Sequence, residues 1–385
     1  MSDSPTSNHF DVAIVGAGLG GLAFSILMAR QGFRVALFEK ETFPFHRVCG
    51  EYISNESFAF VEALGVDLSQ LPKISRLEVS SPKGKVLKAN LPLGGFGISR
   101  YFLDHRLADL AVEAGVELYQ GARVDKIVPL EEGFAIKSRK GEFSARLVVG
   151  AFGKKSNLDL RLERSFAMEK PKAGNNYVGV KYHVRHPDFP SDLIQLMNFK
   201  EGYSGMSQVE DGKFCMCYLT TAANLRAHGN SIEALEEAVL ARNPVLAERL
   251  ANSERLFRDP VTVSNINFQA KAAVEDHILM LGDAAGTIAP LAGNGMSMSL
   301  HAAWLLHGFA AEFLDGRRSR EDLEKAYTRQ WKRLFQARIR AGARLQGLFG
   351  KEGLTEMSIR SLRRLPFLTK RLIRLTHGKP FYPNP

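Results

Sequence analysis

Residues 10–40 read FDVAIVGAGLGGLAFSILMARQGFRVALFEK. Val12–Val15 predicts a short apolar strand, Leu22–Arg30 a helix that Gly32 ends, and Arg34–Phe38 a second strand leading into Glu39. Between the first strand and the helix stand Gly16, Gly18 and Gly21, spaced G-x-G-x-x-G. A strand–turn–helix with this spacing binds a dinucleotide. The first glycine permits the tight turn, the second admits the pyrophosphate, and the third lets helix and strand pack closely. The helix N-terminus then offers N–H groups and a partial positive charge to the phosphates. Glu39 falls at the distance expected of the acid that accepts hydrogen bonds from the adenosine ribose.

The stretch HILMLGDAAGTIAPLAGNGMSMSLH (277–301) separates FAD from NAD. His277–Leu281 predicts another strand of the same sheet, ending at Gly282 and Asp283. Asp283 would reach a hydroxyl of a ligand lying across the carboxyl edge of the sheet, where open α/β sheets bind. FAD carries such a group in its ribityl chain, and NAD does not. Pro290–Gly295 turns into a helix beginning near Met296, whose N-terminus would stabilise negative charge on reduced flavin.

Composition sets the remaining bounds. The chain has 385 residues, 45% apolar and 24% charged, as in an ordinary globular protein. Met1–His9 lacks the basic and apolar regions of a signal peptide, and no stretch approaches the roughly 20 apolar residues of a membrane span. Three cysteines, Cys49, Cys215 and Cys217, give no disulfide framework and point to a reducing cytoplasm. Cys215 and Cys217 sit in an alternating strand pattern without partners that complete a ligand set, so no metal is expected. Residues 317–385 hold 18 Lys/Arg against 5 Asp/Glu, a local net of +13, leaving the rest of the chain near −3 of the total +10. Such asymmetry suits an anionic partner.

Three motifs in order over roughly 300 residues resemble the FAD-dependent p-hydroxybenzoate hydroxylase-like superfamily. They are the glycine fingerprint with Glu39, ISRYFLDHRL (98–107), and GDAAG (282–286) with the downstream GNG. That superfamily includes aromatic monooxygenases, geranylgeranyl reductases and flavin halogenases. The resemblance implies that Arg100 helps hold FAD, that Asp283 binds the ribityl chain, and that Leu103 and Leu107 are core. The FAD-contacting set it implies is Gly16, Gly18, Gly20, Gly21, Glu39, Lys40, Arg47, Arg100, Val124, Gly282, Asp283, Gly293, Gly295 and Met296. PFHRVCGEYIS (44–54) is similar to the flavin-side segment of the reductase branch, with Arg47, Cys49 and Gly50 in register and Glu51 where that branch often has glycine. GAFGKKS (150–156) is similar to a monooxygenase segment, with Phe152 replacing an aspartate; this argues against direct NAD(P)H docking. Gly286 stands where aromatic hydroxylases often have histidine, which leans to the reductase branch.

The expected fold is α/β: a Rossmann-like FAD-binding domain (9–73, 98–165, 269–315) interleaved with a mostly antiparallel substrate sheet (74–97, 166–268). A basic C-terminal helical region (316–385) follows. Ile74–Ala89 predicts a hairpin, residues 176–221 several alternating strands, Ser231–Ala241 a helix and Val261–Phe268 a further strand. Cys49 and Glu51 are the catalytic candidates. Cys49 reads either as a polarisable group of the flavin cavity or as a small buried hydrophobe. Glu51 reads either as a proton donor with a raised pKa or as a surface carboxylate paired with Arg47. His183 reads as a structural strand residue. In the tail, Asp322–Phe349 and residues 357–380 are helical and basic; their faces suit an anionic membrane surface or a solvated cap, and nucleic acid less. The function expected is an FAD-dependent oxidoreductase with NAD(P)H or another reductant as electron donor. A monooxygenase of an apolar or phenolic molecule stands first and a geranylgeranyl reductase-like enzyme second. A cytoplasmic protein, peripheral on the inner face of the membrane if the tail docks there, fits this reading.

Overall fold

The computed structural model describes residues 8–168, 176–266, 271–287, 289, 293–348 and 351–382. The leader through Ser7, the end of the 261–268 strand beyond Ile266, Pro290–Ala292 of the glycine turn, and Phe349 lie outside the described residues.

The first sheet is centred on β1 (His9–Val15), which pairs in parallel with β2 (Val35–Phe38) on one side and β9 (Gly141–Gly150) on the other. β6 (Glu117–Tyr119) extends it beyond β2, and β17 (Ile278–Met280) extends it beyond β9, both parallel. β16 (Val274–Glu275) closes one edge, while β8 (Phe134–Ser138) runs antiparallel against the start of β9 and β7 (Val124–Pro129) runs antiparallel against β8. Strands buried on both faces need unbroken apolar runs, which is how 12–15 and 35–38 read. Helix α1 (Leu19–Arg30) is apolar nearly all round because it lies between the sheet, α3 (Arg100–Glu113) and α9 (Gly295–Leu314). Leu103 and Leu107 of α3 are fully buried.

The second sheet has the order β14 (Glu254–Arg255), β10 (Tyr177–Arg185), β13 (Phe214–Thr221), β12 (Gly202–Gln208), β11 (Leu193–Phe199), β4 (Lys73–Ser80), β5 (Val86–Gly97), β3 (Tyr52–Ser54). Only the β11–β4 pair on this path is parallel, and β15 (Val261–Ile266) joins β10. Tyr52–Ser54, placed by the sequence in the FAD-binding stretch, thus belongs to the second sheet. Strand alternation divides the side chains. Val178, Val180, Tyr182 and Val184 of β10 face a core closed by α7 (Ile232–Ala238) and α8 (Pro244–Asn252). The expected helix over 231–241 ends at Ala238 and continues as one 3-10 turn, Leu240–Arg242. Short helices α2 (Phe58–Leu64), α4 (Asn157–Arg161), α5 (Ser165–Met168) and α6 (Ala222–Ala227) fill the connections.

The C-terminal region is not a loose tail. In α10 (Arg320–Leu348), Leu323, Tyr327, Trp331 and Phe335 are core of the FAD-binding half, and Tyr327 donates to the Met280 carbonyl at 2.7 Å. The second basic helical pattern is divided into α11 (Glu352–Arg364) and α12 (Pro366–Thr376), because Pro366 cannot continue a helix but fits the first position of a new one. Both pack on β5. The chain then returns to the first half, where Phe381 stacks on His301 of α9, with ring centroids 4.1 Å apart.

Candidate active site

A continuous cavity of about 1540 Å³ runs between the two sheets. This exceeds the usual range of one small-ligand pocket, roughly 300–1,000 Å³. One end is built from backbone. Gly16 has φ +104, and a Cβ there would lie 2.4 Å from the Ala151 carbonyl; a Cβ on Gly21 would lie 2.2 Å from the Gly16 carbonyl. No larger residue fits either place. At Gly18 a Cβ would meet nothing within 4 Å, so the absent side chain leaves the cavity open. No side chain caps α1, whose N-terminus faces that opening. Gly20 also lets α1 approach α9 closely, since a Cβ there would come within 2.6 Å of Ser299 Oγ.

Glu39 is buried, and its carboxylate accepts from the Ala17 N–H at 3.0 Å and from Arg47 at 3.1 Å. Lys40, with an exposed side chain, and Val124 line the cavity at this end. Arg100 chelates Asp104 with bonds of 2.6 and 2.7 Å. Burial opposes the Arg100 charge, but Asp104 outweighs it and raises the guanidinium pKa. Asp283 sits in a 3-10 turn, Gly282–Ala284, directly after β17, and lines the cavity. Lys271 holds the turn by donating to the carbonyls of Asp283 and Lys154, each at 2.7 Å; burial brings its ammonium down to about 8. Gly293, at φ +64, leads into α9, whose first residues Gly295 and Met296 also line the cavity. An uncapped helix start, a side-chain-free turn and a carboxylate at the sheet edge fit FAD. The pyrophosphate would be held at Gly16–Gly21, the ribityl chain at Asp283, and the ring before α9.

The middle of the cavity is walled by the loop 45–51. Glu51 is fully buried, and its two oxygens divide between Lys181 and His183 of β10, the latter with Nε2 at 2.6 Å. Oε1 also accepts the Arg100 N–H at 2.7 Å. Burial alone would raise this carboxyl; the Lys181 charge and the His183 hydrogen bond outweigh it and hold the pKa at about 2. Both expectations for Glu51 are therefore corrected. It is ionised, so it cannot donate a proton, and Arg47 pairs instead with Glu39 and Asp104. Glu51 has φ +55, a left-handed conformation that costs a non-glycine residue about 1–2 kcal/mol. A glycine at this position would adopt the conformation without that cost. The ion pair with Lys181 offsets the cost. His46, stacked on Tyr101, completes the cluster; burial, with Lys181 and His183, lowers it to about 4.

Cys49 lines the cavity beside this cluster. Burial pushes its thiol up, with Arg100 opposing, so it keeps its proton at neutral pH. Cys217 lines the cavity as well, and Cys215 Sγ lies 3.2 Å from the Cys49 carbonyl. Glu51, His183 and Cys215 present ligand-type atoms within 4.8 Å of one another, but the Lys181 ammonium already occupies the carboxylate. The position of His183 was legible as a strand residue; its pairing was not. The signal lay in two alternations, VKYHV and KFCMCY. In register they put Lys181 opposite Cys217 and His183 opposite Cys215 on the cavity face.

The far end is an aliphatic chamber. Leu77, Val79, Leu87, Leu91, Ile194 and Leu196 of the second sheet form its floor. Ile359 and Leu362 of α11 and Ile373 of α12 close it from above. Sequence reasoning placed the floor residues in the substrate sheet and the others on a basic amphipathic tail, but did not foresee that the two meet over a chamber. Gly286 is explained on the opposite side: a Cβ there would lie 2.6 Å from the Trp331 ring, so α10 fills the space a histidine would need.

The family described as FAD_binding_3, FAD binding domain, matches residues 9–341. The chain is 26% identical over 389 residues to digeranylgeranylglycerophospholipid reductase 2 of Methanopyrus kandleri (strain AV19), covering 96% of this chain and 93% of that protein. It is 23% identical over 329 residues to conditioned medium factor receptor 1 of Dictyostelium discoideum, covering 77% of this chain but only 62% of that protein's length. Among solved structures, the flavin-dependent brominase Bmp2 shares the fold with a TM-score of 0.76 at 18% identity, over 96% of this chain and 93% of that one.

Proposed function

Since the chain belongs to the FAD binding domain family and is an FAD-dependent oxidoreductase, we propose that it saturates carbon–carbon double bonds of a long, apolar, isoprenoid-like lipid. One observation carries the reading: the FAD crevice and the aliphatic chamber are one cavity, with the Cys49 loop between them. Such a chamber can align an extended hydrocarbon chain and offers little to orient a polar one. The match to a digeranylgeranylglycerophospholipid reductase supports the same substrate class.

Reduced FAD, when bound, supplies a hydride; the chain must supply a proton and exclude water. Cys49 is the residue we take to give that proton: it lines the cavity between the two ends, and burial keeps its thiol neutral. Glu51 does not donate; it fixes the loop that carries Cys49 and stabilises positive charge through its own negative one. The ordering reverses the sequence preference for a monooxygenase on a chemical ground. Two thiols, Cys49 and Cys217, line the cavity, and Cys217, whose pKa is lowered by a hydrogen bond from Cys215, is the one that an oxygen-transferring flavin would oxidise. The monooxygenase reading keeps one support, the GAFGKKS segment, whose Phe152 faces the cavity. NAD(P)H or another donor must re-reduce the flavin under either reading.

Mass analysis of products distinguishes the two. The purified protein, reduced and mixed with polyprenyl lipids without oxygen, is expected to add two hydrogens per double bond. A product that forms only with oxygen, and gains an oxygen atom, would replace the reductase with the monooxygenase. Cys49→Ser is expected to slow the reaction by about 10²–10³-fold while leaving FAD bound.

A further inference from the structure

The inner faces of α11 and α12 close the chamber, and their outer faces carry a different composition. On α11, Leu354 and Met357 are 41% and 59% exposed; at the joint and on α12, Leu365, Phe367 and Leu375 are 39%, 67% and 53% exposed. The same surface carries Arg360, Arg363, Arg364, Lys370, Arg371 and Arg374, all exposed. Among the described residues none of these six cations forms an ion pair; the one such pair on α11 joins Glu356 to Lys85. Single exposed apolar side chains are ordinary on a protein surface, but several on one short helical pair, amid cations, mark an interaction site.

The chemistry of the patch selects its occupant. A second copy of the chain, meeting it about a two-fold axis, would set the same arginines against each other. A protein partner could pair the cations but gives no reason for the apolar chamber to open within the patch, and a nucleic acid would leave the leucines and Met357 without a partner. An anionic bilayer takes both kinds of group, with acyl chains around Met357, Phe367 and the leucines, and headgroups at the cations. No described helix is long and apolar enough to cross a membrane, so the contact is interfacial. Met357 and Ser361 supply a second observation. Both line the cavity and both are exposed, so the chamber opens within the patch.

We propose that α11 and α12 form a docking element for an anionic lipid bilayer, and that the apolar chamber opens into the acyl layer this element covers. The docking stands whichever reaction the flavin drives. The test is sedimentation of the full-length, FAD-loaded protein with vesicles of phosphatidylcholine, with or without phosphatidylglycerol. Binding is expected only to the anionic vesicles and is expected to weaken with salt. Arg363→Glu and Arg371→Glu should each reduce it about fivefold or more, and Phe367→Ser about tenfold. Flavin absorbance of each variant checks that the fold is kept. Phe367→Trp should be quenched by lipids brominated on their acyl chains, a readout a soluble cap would not give. Three results would overturn the proposal: no sedimentation with anionic vesicles, equal sedimentation of the variants and the parent chain, or a self-association or nucleic-acid complex that these substitutions abolish while vesicle binding is absent.

Discussion

The two ends of the cavity are made from different parts of the polypeptide. The FAD end is backbone: turns at Gly16–Gly21, the Gly282–Ala284 turn, and the starts of α1 and α9. The chamber end is side chain: alternate residues of β4, β5 and β11, met by residues more than 160 positions later in α11 and α12. Backbone sites demand particular residues at particular spacings. Side-chain chambers demand only that enough aliphatic groups converge. The first kind of end tolerates almost no substitution, and the second should tolerate many.

The largest effect is expected at the glycine turn. Gly21→Val places its side chain against the Gly16 carbonyl, where no flexible neighbour can move. The variant is expected to purify without flavin and with a sharply lowered unfolding midpoint. Asp283→Ala should also empty the FAD site, now with the fold intact; bound flavin after gel filtration measures both. A fully flavinated Asp283→Ala protein would break the assignment of this end.

Next in size is the junction between the ends. Lys181→Met strands the Glu51 carboxylate in the interior and is expected to cost about 3–5 kcal/mol in denaturant unfolding. Glu51→Gly relieves the left-handed strain but strands Lys181, so the double variant should be more stable than either single one. The sign of the pH dependence follows from the depressed carboxyl. Its folded pKa of about 2 lies below the usual 4.5, so the unfolded chain binds the extra proton as pH falls. The stabilisation from Glu51 is complete above about pH 4.5 and is lost between there and pH 2. Removal of that acid-sensitive step by Glu51→Gln, seen in unfolding curves across the window, checks it.

Smaller effects sharpen the comparison. Gly286→His forces a side chain against Trp331 and is expected to cost about 1–3 kcal/mol by overpacking. Leu196→Ser in the chamber floor should raise the KM for an apolar substrate about tenfold and leave FAD affinity unchanged. Loss of flavin from this last variant would contradict the division into two ends.

The same division explains what the sequence disclosed. The turns at Gly16, Gly18, Gly21 and Asp283 and the strand end at Glu39 were legible because their spacing is tied to a strand–turn–helix whose geometry admits few alternatives, whereas Arg100 was marked by resemblance alone. Lys181 and His183 were visible only as strand residues. Their role depends on the register of β10 with β13 and on the loop carrying Glu51, about 130 residues away. Glu51 itself was misread for the same reason, since its partner Lys181 is remote in sequence while Arg47 is near. The amphipathic tail was recognised as helical and basic. Which face it buries was settled by Ile359, Leu362 and Ile373 meeting a sheet whose order, with β4 beside β11, no local pattern encodes.

The central claim is that a hydrocarbon chain in the chamber meets reduced flavin at the Cys49 loop. The most direct test follows flavin absorbance after the reduced, FAD-loaded protein is mixed with a polyprenyl lipid in the strict absence of oxygen. The account predicts that the flavin reoxidises as double bonds are consumed, and that Cys49→Ser slows this step without releasing FAD. Flavin that stays reduced until oxygen is admitted, with the lipid then gaining an oxygen atom, would contradict it.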